Sequence, residues 1–243
     1  MPKDILVIIP AYNEGKKIAS VVEEVRSSLG GRADILVVND ASTDNTASEI
    51  GRAGADRIDL ITRVKYGAVL QTGFKYARDR EYPFIATIDG DGQHDASFLP
   101  PMLQKVESGE ADLLIGSRFI ENTGYRMPLL RRIGSRLFSF LVRLFSGRKI
   151  FDPTSGYQLF NRKVLQVYCG DDYPVDYPDA DVLLRVLYRR LRIGEIAVRM
   201  RPNPEKSMHS GLGVFYYVFK MFLAILIVVL SNRELKKEPH AAV

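Results

Sequence analysis

The sequence predicts an α/β fold in which one mostly parallel sheet carries helices on both faces. Two observations support this prediction: short apolar runs alternate with helix-like segments through the first half of the chain, and small polar clusters follow the apolar runs. The chain has 243 residues, of which 46% are hydrophobic and 26% charged. That length is enough for one sizeable core and too short for two ordinary domains, so we expect one domain with an appendage.

Five apolar runs are predicted to form the strands of this sheet. They lie at residues 5–9, 35–38, 58–61, 84–88 and 113–115. Helix-like segments separate them at residues 15–29, 43–53, 68–80 and 98–108. In such sheets ligands bind beyond the carboxyl ends of the strands, so the polar residues that follow the runs form the candidate site.

Polar clusters follow four of the five runs. They are Pro-Ala-Tyr-Asn-Glu at 10–14, Asn-Asp-Ala-Ser-Thr-Asp at 39–44, Asp-Gly-Asp-Gly-Gln-His at 89–94 and Gly-Ser-Arg at 116–118. Parallel strands bring all four clusters to one edge of the sheet, which favours a nucleotide site there. Asp44 is expected to cap the helix that follows it, because Asp44, Asn45 and Thr46 resemble a helix start.

The carboxylates of Asp89 and Asp91 are predicted to converge. Residues two apart at a strand end point the same way, and Gly90 and Gly92 leave room for close backbone approach. An uncompensated carboxylate pair of this kind suits a hard divalent cation that holds a diphosphate. The alternative interpretation is an Asp/Gly-rich turn that only caps the strand.

A second pattern begins after Arg118. Between residues 129 and 145, bulky apolar residues recur at helical spacing, and Arg132, Arg136 and Arg143 fall on a neighbouring stripe. This pattern predicts a basic amphipathic helix. It either contacts a membrane surface or packs on the sheet with a solvated charged edge.

The longest apolar stretch lies at residues 214–230 and is interrupted by Lys220. We expect an interfacial helix whose Lys220 reaches the lipid headgroups; a short membrane span and a helix buried in an oligomer interface are the alternatives. The predicted organisation is a catalytic domain at 1–212 that includes the basic helix at 129–147, a membrane-associated helix at 213–235 and a disordered tail at 236–243.

The charge and the cysteine content indicate which class of partner and which compartment to expect. The net charge of +5 comes mainly from basic residues at 126–149 and 185–206 that are interleaved with apolar ones, which favours anionic lipid over nucleic acid. The single cysteine, Cys169, excludes an internal disulfide and indicates a reducing compartment. The run at 5–9 follows Lys3 and Asp4 directly and is interpreted as a strand rather than a secretory signal, so we expect a cytoplasmic active part.

Taken together, the clusters at 10–14, 39–44, 89–94 and 116–118, with Lys-Tyr-Gly-Ala at 65–68 and Gly73, resemble the family 2 glycosyltransferases of GT-A fold. Asp-Pro-Thr-Ser-Gly-Tyr-Gln at 152–158 resembles the branch that glycosylates polyprenyl phosphates. The resemblance covers about residues 4–235. It implies a nucleotide-sugar donor, a polyprenyl-phosphate acceptor and Mg²⁺ or Mn²⁺.

The resemblance also implies roles for individual residues. The nucleotide would be bound by Pro10, Tyr12, Glu14, Asp40, Lys65, Asp89 and Gly90. The metal would be held by Asp89, Asp91 and Gln93, with His94 as a further ligand or a packing residue. The catalytic residues would be Asp91, Asp152, Arg118 and Arg131, and the acceptor phosphate would meet Arg132, Arg136 and Ser155.

A phosphate acceptor changes what catalysis requires. A lipid phosphate is already an anion at neutral pH and needs charge-neutralising arginines, whereas a sugar hydroxyl would have to be deprotonated by a positioned carboxylate. Asp152, Asp179 and Asp181 are the candidates for a base or an orienting group, and Asp181 is alternatively the start of a helix.

We therefore expect a metal-dependent inverting transferase that moves a hexose from a UDP- or GDP-sugar to a polyprenyl phosphate at the cytoplasmic membrane face. A polysaccharide glycosyltransferase with a hydroxyl acceptor is the first alternative, and a non-catalytic membrane-associated nucleotide-binding module is the second. A second copy of the chain or a small membrane protein is a possible partner. Three departures from the family pattern affect the donor and acceptor details: Arg63-Val-Lys65 before Gly67, Tyr157 and Gln158 after Gly156, and the loop at 201–206 without glycine.

Overall fold

A computed structural model describes residues 3–121, 129–201 and 213–237. Within these ranges the chain forms seven strands, eight α-helices and two short 3₁₀ turns at Gly30–Arg32 and Ala96–Phe98. The strands are Ile5–Ala11 (β1), Ala33–Asn39 (β2), Asp56–Asp59 (β3), Phe84–Thr87 (β4), Leu113–Ser117 (β5), Gln158–Asn161 (β6) and Ile193–Ala197 (β7). The helices are Ile18–Leu29 (α1), Thr46–Arg52 (α2), Tyr66–Asp79 (α3), Leu99–Glu107 (α4), Leu129–Ser146 (α5), Arg162–Tyr168 (α6), Ala180–Tyr188 (α7) and Gly213–Lys237 (α8).

The seven strands form one sheet in the order β3-β2-β1-β4-β6-β5-β7. Parallel pairs join β1 to β2 and β4, β2 to β3, and β5 to β7, while β6 runs antiparallel to both β4 and β5. The predicted α/β class with a mostly parallel sheet is confirmed. The antiparallel β6 was not predicted, because its four residues follow a turn and carry no periodicity of their own. Its first residue, Gln158, pairs with Thr87 at the end of β4 and with Ile115 near the end of β5, so the segment that precedes β6 joins the candidate site.

The core has one layer on each face of the sheet. Alternate residues of β1 point to opposite faces, and all seven of them are buried. Leu6 and Ile8 pack into the layer that includes residues of α3, α6 and α7. Ile5, Val7 and Ile9 pack into the layer that includes residues of α1 and α4. The sheet is therefore covered on both sides and leaves its ends for a ligand.

The helices α5 and α8 lie together at one side of the molecule, where Phe138 of α5 meets Tyr217 of α8 with ring centroids 5.6 Å apart. Each helix buries one side and exposes bulky apolar side chains on the other. We call these exposed residues the outer apolar face: Ile133, Leu137, Phe140 and Leu144 of α5, and Tyr216, Phe219, Phe222, Leu223, Leu226, Ile227 and Leu230 of α8. None of the helices in the described residues is long and apolar enough to cross a bilayer.

The carboxyl-terminal helix makes both polar and apolar contacts with the domain. The Lys220 ammonium forms an ion pair with Asp176, a buried carboxylate ahead of α7, and the Lys220 side chain is 40% exposed. The contact of Lys220 with lipid headgroups stays a prediction. The predicted tail at 236–243 begins inside α8, which continues to Lys237, and residues 238–243 lie outside the described ranges. The inner side of α8 buries Met221, Ile225 and Val228. The helix is thus packed on the domain rather than separate from it.

Candidate active site

The candidate site lies where β1, β2, β4 and β5 end and β6 begins. The sheet order places β1 beside β2 and β4, and the antiparallel β6 between β4 and β5. The backbone approaches closely here: a methyl group on Gly90 would lie 2.9 Å from the carbonyl oxygen of Pro10. Four predicted clusters and the segment before β6 therefore meet at one edge, as the spacing of the strands indicated.

Asp89 and Asp91 follow β4 and are held by different partners. The Tyr66 hydroxyl donates to Asp89 Oδ1 at 2.8 Å, and the Asp89 side chain is 34% exposed. Asp91 Oδ1 accepts the backbone N–H of Gln93 at 3.0 Å, and its second oxygen accepts the Gln93 side-chain amide. Tyr66 contributes a hydrogen bond that the sequence motif did not indicate.

The donor set of this cluster fits a hard divalent cation supplied together with a diphosphate. Within the described residues, no group of three or more His, Cys, Asp and Glu side chains is arranged to hold a metal ion. Two carboxylates and the amide oxygen of Gln93 are nevertheless the hard oxygen ligands that Mg²⁺ and Mn²⁺ prefer. Mg²⁺ is commonly held by one or two carboxylates plus substrate phosphates, which is the number of carboxylates present here.

His94 is a packing and hydrogen-bonding residue in this structure. Its ring is buried and stacks on Tyr157 with centroids 4.9 Å apart. Burial lowers the pKa of His94, which favours the neutral ring, and the unprotonated Nδ1 accepts the backbone N–H of Asp89 at 3.2 Å. His94 therefore orients the start of the acidic segment.

Tyr12 and Asp40, predicted at the nucleoside, lie on the loops after β1 and β2, whereas Pro10 lies in β1 itself. The guanidinium of Arg63 covers the ring of Tyr12 at 3.8 Å from its centroid. Asp40 is buried and accepts the backbone N–H of Val64 at 2.7 Å, which holds the Arg63 segment against this edge. Asp44 accepts the backbone N–H groups of Gly15 and Thr46, as expected for a residue that opens a helix.

Glu14 lies on the first of these loops, and its backbone N–H donates to the Thr46 hydroxyl at 2.9 Å. Lys65, predicted at the nucleotide, forms an ion pair with Asp176 at 2.7 Å, and its side chain is 65% exposed. The nucleotide contacts of Glu14 and Lys65 stay predictions.

Arg118 and Asp152 form a buried bidentate pair. Arg118 Nε donates to Asp152 Oδ2 and Arg118 Nη2 to Asp152 Oδ1, both at 2.7 Å, and the Arg118 backbone N–H donates to the same carboxylate at 3.0 Å. Asp152 is fully buried. The sequence proposed both residues for the site, and only the fold shows that they bind each other.

Glu195 is a site residue that the sequence analysis missed. From β7 its carboxylate accepts the backbone N–H of Phe151 at 2.8 Å and that of Asp152 at 2.9 Å. Burial raises the pKa of Glu195, and these two hydrogen bonds act in the opposite direction. A lone glutamate between Ile193 and Ile196 in an apolar run was the available signal, because a charge within a strand needs a partner.

The predicted acceptor-phosphate residues differ in their surroundings. Ser155 is buried, and its hydroxyl donates to the Gly116 carbonyl oxygen at 2.7 Å. This hydroxyl therefore fastens the segment before β6 to the end of β5, and its contact with an acceptor phosphate stays a prediction. Arg132 and Arg136 are exposed on α5, while the side chain of Arg131 lies outside the described residues.

Asp179 and Asp181 lie at the start of α7. Burial raises the pKa of Asp179 to about 7 and that of Asp181 to about 6. Asp179 accepts the hydroxyl of Tyr217 from α8, and Asp181 accepts the backbone N–H of Asp179 at 3.3 Å. Asp181 thus has the helix-start role that was its alternative interpretation.

Comparison with known proteins identifies one matching family and several relatives. The family described as Glycosyl transferase family 2 matches residues 6–169. Polyprenol monophosphomannose synthase of Mycolicibacterium smegmatis is 35% identical over 66% of this chain and 63% of its own length. Undecaprenyl-phosphate mannosyltransferase of Micrococcus luteus is 31% identical over 86% of this chain and 88% of its own. The chain thus spans less than two thirds of the first relative and most of the second.

Solved structures match the fold. Glucosyl-3-phosphoglycerate synthase from Mycobacterium tuberculosis, in complex with Mn²⁺ and UDP-glucose, superposes with a TM-score of 0.70 over 99% of this chain and 82% of that chain. The two sequences are 19% identical, so the match shows a shared fold of GT-A type.

Proposed function

Because the chain belongs to glycosyl transferase family 2, we propose that it transfers a hexose from a nucleotide-diphospho-sugar to a polyprenyl phosphate, with inversion at the sugar. Two relatives carry the names of enzymes that glycosylate polyprenol or undecaprenyl phosphate. The chain is a glycosyltransferase, which removes the non-catalytic module from the alternatives. The identity of the acceptor and the site residues are the proposal.

The buried Arg118–Asp152 pair is the observation that carries the choice of a phosphate acceptor. Asp152 accepts three hydrogen bonds from Arg118 and is fully buried, so it is poorly placed to take a proton from a substrate hydroxyl. Its role in this proposal is to orient the guanidinium. An oriented guanidinium suits an anionic acceptor, which needs charge stabilisation and no strong base.

On the donor side, Asp89, Asp91 and Gln93 would hold Mg²⁺ or Mn²⁺. When bound, the ion supplies Lewis-acid stabilisation of the departing nucleoside diphosphate. Tyr66 orients Asp89 through its 2.8 Å hydrogen bond, and Gln93 holds Asp91. Pro10 near the end of β1 and the loops that carry Tyr12 and Asp40 would surround the nucleoside.

The outer apolar face supports a membrane position for this chemistry. Exposed Arg132, Arg136 and Arg143 accompany the apolar residues of α5, and a basic apolar surface suits anionic lipid. The acceptor would reach the site from the cytoplasmic leaflet. A second copy of the chain or a small membrane protein is an alternative cover for α8; nucleic acid is not a proposed partner.

One observation favours a second candidate, transfer to a hydroxyl acceptor. The pKa of Asp179, raised to about 7 by burial, suits a general base, and the Asp179 carboxylate accepts the hydroxyl of Tyr217 at the start of α7. In that reaction Asp179 would accept the proton of the attacking hydroxyl.

Transfer from labelled nucleotide sugars to a polyprenyl phosphate and to the matching polyprenol separates the two candidates. We expect product with the phosphate alone, and Asp179→Asn should retain most of the rate. For a hydroxyl acceptor, the same variant would lose about 10²–10⁴-fold, the usual contribution of a general base. Asp171→Asn, an exposed carboxylate nearby in sequence, is the control. Product with the alcohol would reject the phosphate acceptor.

A further inference from the structure

The inner side of α8 is tied to the segment 174–179 by two polar contacts. The Tyr217 hydroxyl donates to Asp179, and the Lys220 ammonium pairs with Asp176. The adjacent residues Tyr216 and Phe219 belong to the outer apolar face. One helix therefore presents apolar side chains outward and holds this segment with its inward polar groups.

The segment in turn packs on the first turn of α3. The backbone N–H groups of Gly67 and Ala68 donate to the carbonyl oxygens of Asp176 and Val175 at 3.3 and 3.1 Å. These are among the N–H groups that a helix start leaves without a partner inside the helix. Lys65 adds its 2.7 Å ion pair with Asp176.

Gly67 shows how closely the two elements approach. A methyl group there would lie 2.0 Å from the carbonyl oxygen of Pro174, far inside van der Waals contact with a backbone atom. Any larger residue at this position would push the segment away from α3. The absence of a side chain is thus a requirement of this contact.

The first residue of α3 connects this contact to the candidate metal ligands. Tyr66 lies between Lys65 and Gly67, and its hydroxyl donates to Asp89 Oδ1 at 2.8 Å. The same hydroxyl lies against Gly156, where a methyl group would be 2.7 Å away. A shift of the α3 start would therefore move the donor that orients Asp89.

Space remains between the segment and α8. A cavity of about 350 Å³ is lined by Lys65, Val175, Asp176, Tyr177, Lys220 and Met221, among others. Beside this opening the segment is held to α8 by its polar contacts and by the ring of Tyr177, which packs on Tyr217 with centroids 4.9 Å apart. The position of the segment 174–179 can then change when α8 moves.

We propose that Asp176 is a positioning residue. It couples the binding of α8 to a membrane to the orientation of the Asp89 carboxylate, through the first turn of α3 and Tyr66. The coupling deepens the proposed function, since it regulates the same site. Docking of the outer apolar face on a bilayer tightens metal and nucleotide binding. By linkage, metal and nucleotide tighten vesicle binding by the same factor.

The test is the Kd of the full-length chain for Mn²⁺ with saturating UDP or GDP, with and without vesicles of phosphatidylglycerol and phosphatidylcholine. We expect vesicles to lower the Kd by at least about fivefold in the wild type, the lower end of ordinary coupling. Asp176→Asn and Gly67→Ala should bind vesicles and lose this change. Lys220→Met provides a second break if either variant fails to fold.

Matched controls separate coupling from lost charge or altered backbone. Lys163→Met removes one exposed cation from α6 without touching the segment or the outer apolar face, and Gly51→Ala places a methyl where no atom lies within 4 Å. Both should keep the vesicle effect. An equal vesicle effect in Asp176→Asn and the wild type would overturn the proposal, as would a wild type that binds vesicles with unchanged Mn²⁺ affinity. Sugar transfer measured separately tests the proposed function.

Discussion

Asp152 and Glu195 divide the work of positioning Arg118. Glu195 holds the peptide N–H groups of Phe151 and Asp152, and Asp152 holds the guanidinium through two hydrogen bonds of 2.7 Å. A buried charge is tolerated when its hydrogen bonds are made, and both carboxylates meet this condition. The geometry at Arg118 is therefore set by residues that need not touch a substrate.

Glu195→Gln tests this arrangement. A glutamine has one acceptor oxygen in place of two, so one of the two N–H groups loses its partner, at a cost of about 1–3 kcal/mol in the free energy of unfolding. The rate of transfer should fall as well, because the Asp152 loop is less fixed. Urea unfolding and a transfer assay measure the two effects. Glu110→Gln, an exposed carboxylate, should change neither by much.

Asp91→Asn tests the metal assignment. We expect activity to fall by about two orders of magnitude or more, since a bound metal ion supplies several kcal/mol of charge stabilisation. The melting temperature without ligand should stay near that of the wild type, because this carboxylate lies at the sheet edge and outside the core. Wild-type transfer by the variant, or transfer by the wild type in chelator, would contradict the assignment.

The raised pKa values of Asp179 and Asp181 predict a pH dependence of stability. Each carboxyl binds its proton more tightly in the folded chain, up to a pKa of about 7 and about 6, than in the unfolded chain. The free energy of unfolding contributed by these groups should therefore fall as the pH rises from about 4 to about 7. Asp179→Asn should flatten that slope in urea titrations at pH 5 and 7.5. An unchanged slope would show that the pKa of the Asp179 carboxyl is not raised in the folded chain.

At the scale of elements, α8 has two sides with different functions. Met221, Ile225, Val228 and Val229 are buried against the domain, whereas Phe219, Leu223 and Ile227 are exposed. Removing the whole helix would uncover the surfaces of α5 and α7 that it covers, so a truncation after Gly213 would mix loss of membrane contact with loss of packing. Substitutions on one side keep the two effects apart.

Phe219→Ser combined with Leu223→Ser should weaken sedimentation with anionic vesicles while leaving the melting temperature nearly unchanged. Phe219 is 66% exposed and Leu223 is 44% exposed, so little buried area is lost. Met221→Ala is the matched change on the inner side and should cost about 2–5 kcal/mol of stability with vesicle binding retained. Equal vesicle binding by the double variant and the wild type would show that the outer apolar face is not the membrane contact.

At the scale of the whole molecule, the sheet edge gathers residues from distant parts of the chain. Tyr66 is the first residue of α3, Asp89 follows β4, and Gly156 lies before β6. The Tyr66 hydroxyl nevertheless contacts both Asp89 and Gly156. A ligand bound at this edge contacts several elements at once. Its binding should therefore raise the melting temperature of the whole domain.

In a panel of nucleotide sugars tested with Mn²⁺, those that carry one particular base should raise the melting temperature of the protein. Nucleotide sugars with other bases should not. A ligand that binds only the folded chain adds about 2.7 kcal/mol of stability at a concentration of 100 times its Kd. The effect should require Mn²⁺ and be lost in Asp91→Asn. Stabilisation that is independent of both would place the nucleotide elsewhere.

Much of the fold could be predicted from the sequence because its signals are local. The run at 84–88 is apolar at every position but Thr87, and β4 is found at Phe84–Thr87. The helical spacing at 129–145 likewise predicted α5. Asp89 and Asp91 lie just after β4, as the end of the predicted strand at 84–88 indicated. Periodicity and turn chemistry are properties of neighbouring residues, so they can be detected without knowing the fold.

Contacts between distant residues were decided by the tertiary structure alone. Arg118 and Asp152 are 34 residues apart, and they meet because β6 enters the sheet antiparallel between β4 and β5. The apolar setting of Lys220 predicts a headgroup contact, whereas its ion pair with Asp176 is known only from the packing of α8. The sequence determined which residues form strands, helices and a carboxylate pair. Strand order and helix packing determined which charges are neighbours, because electrostatic partners are set by distance in space and not by spacing along the chain.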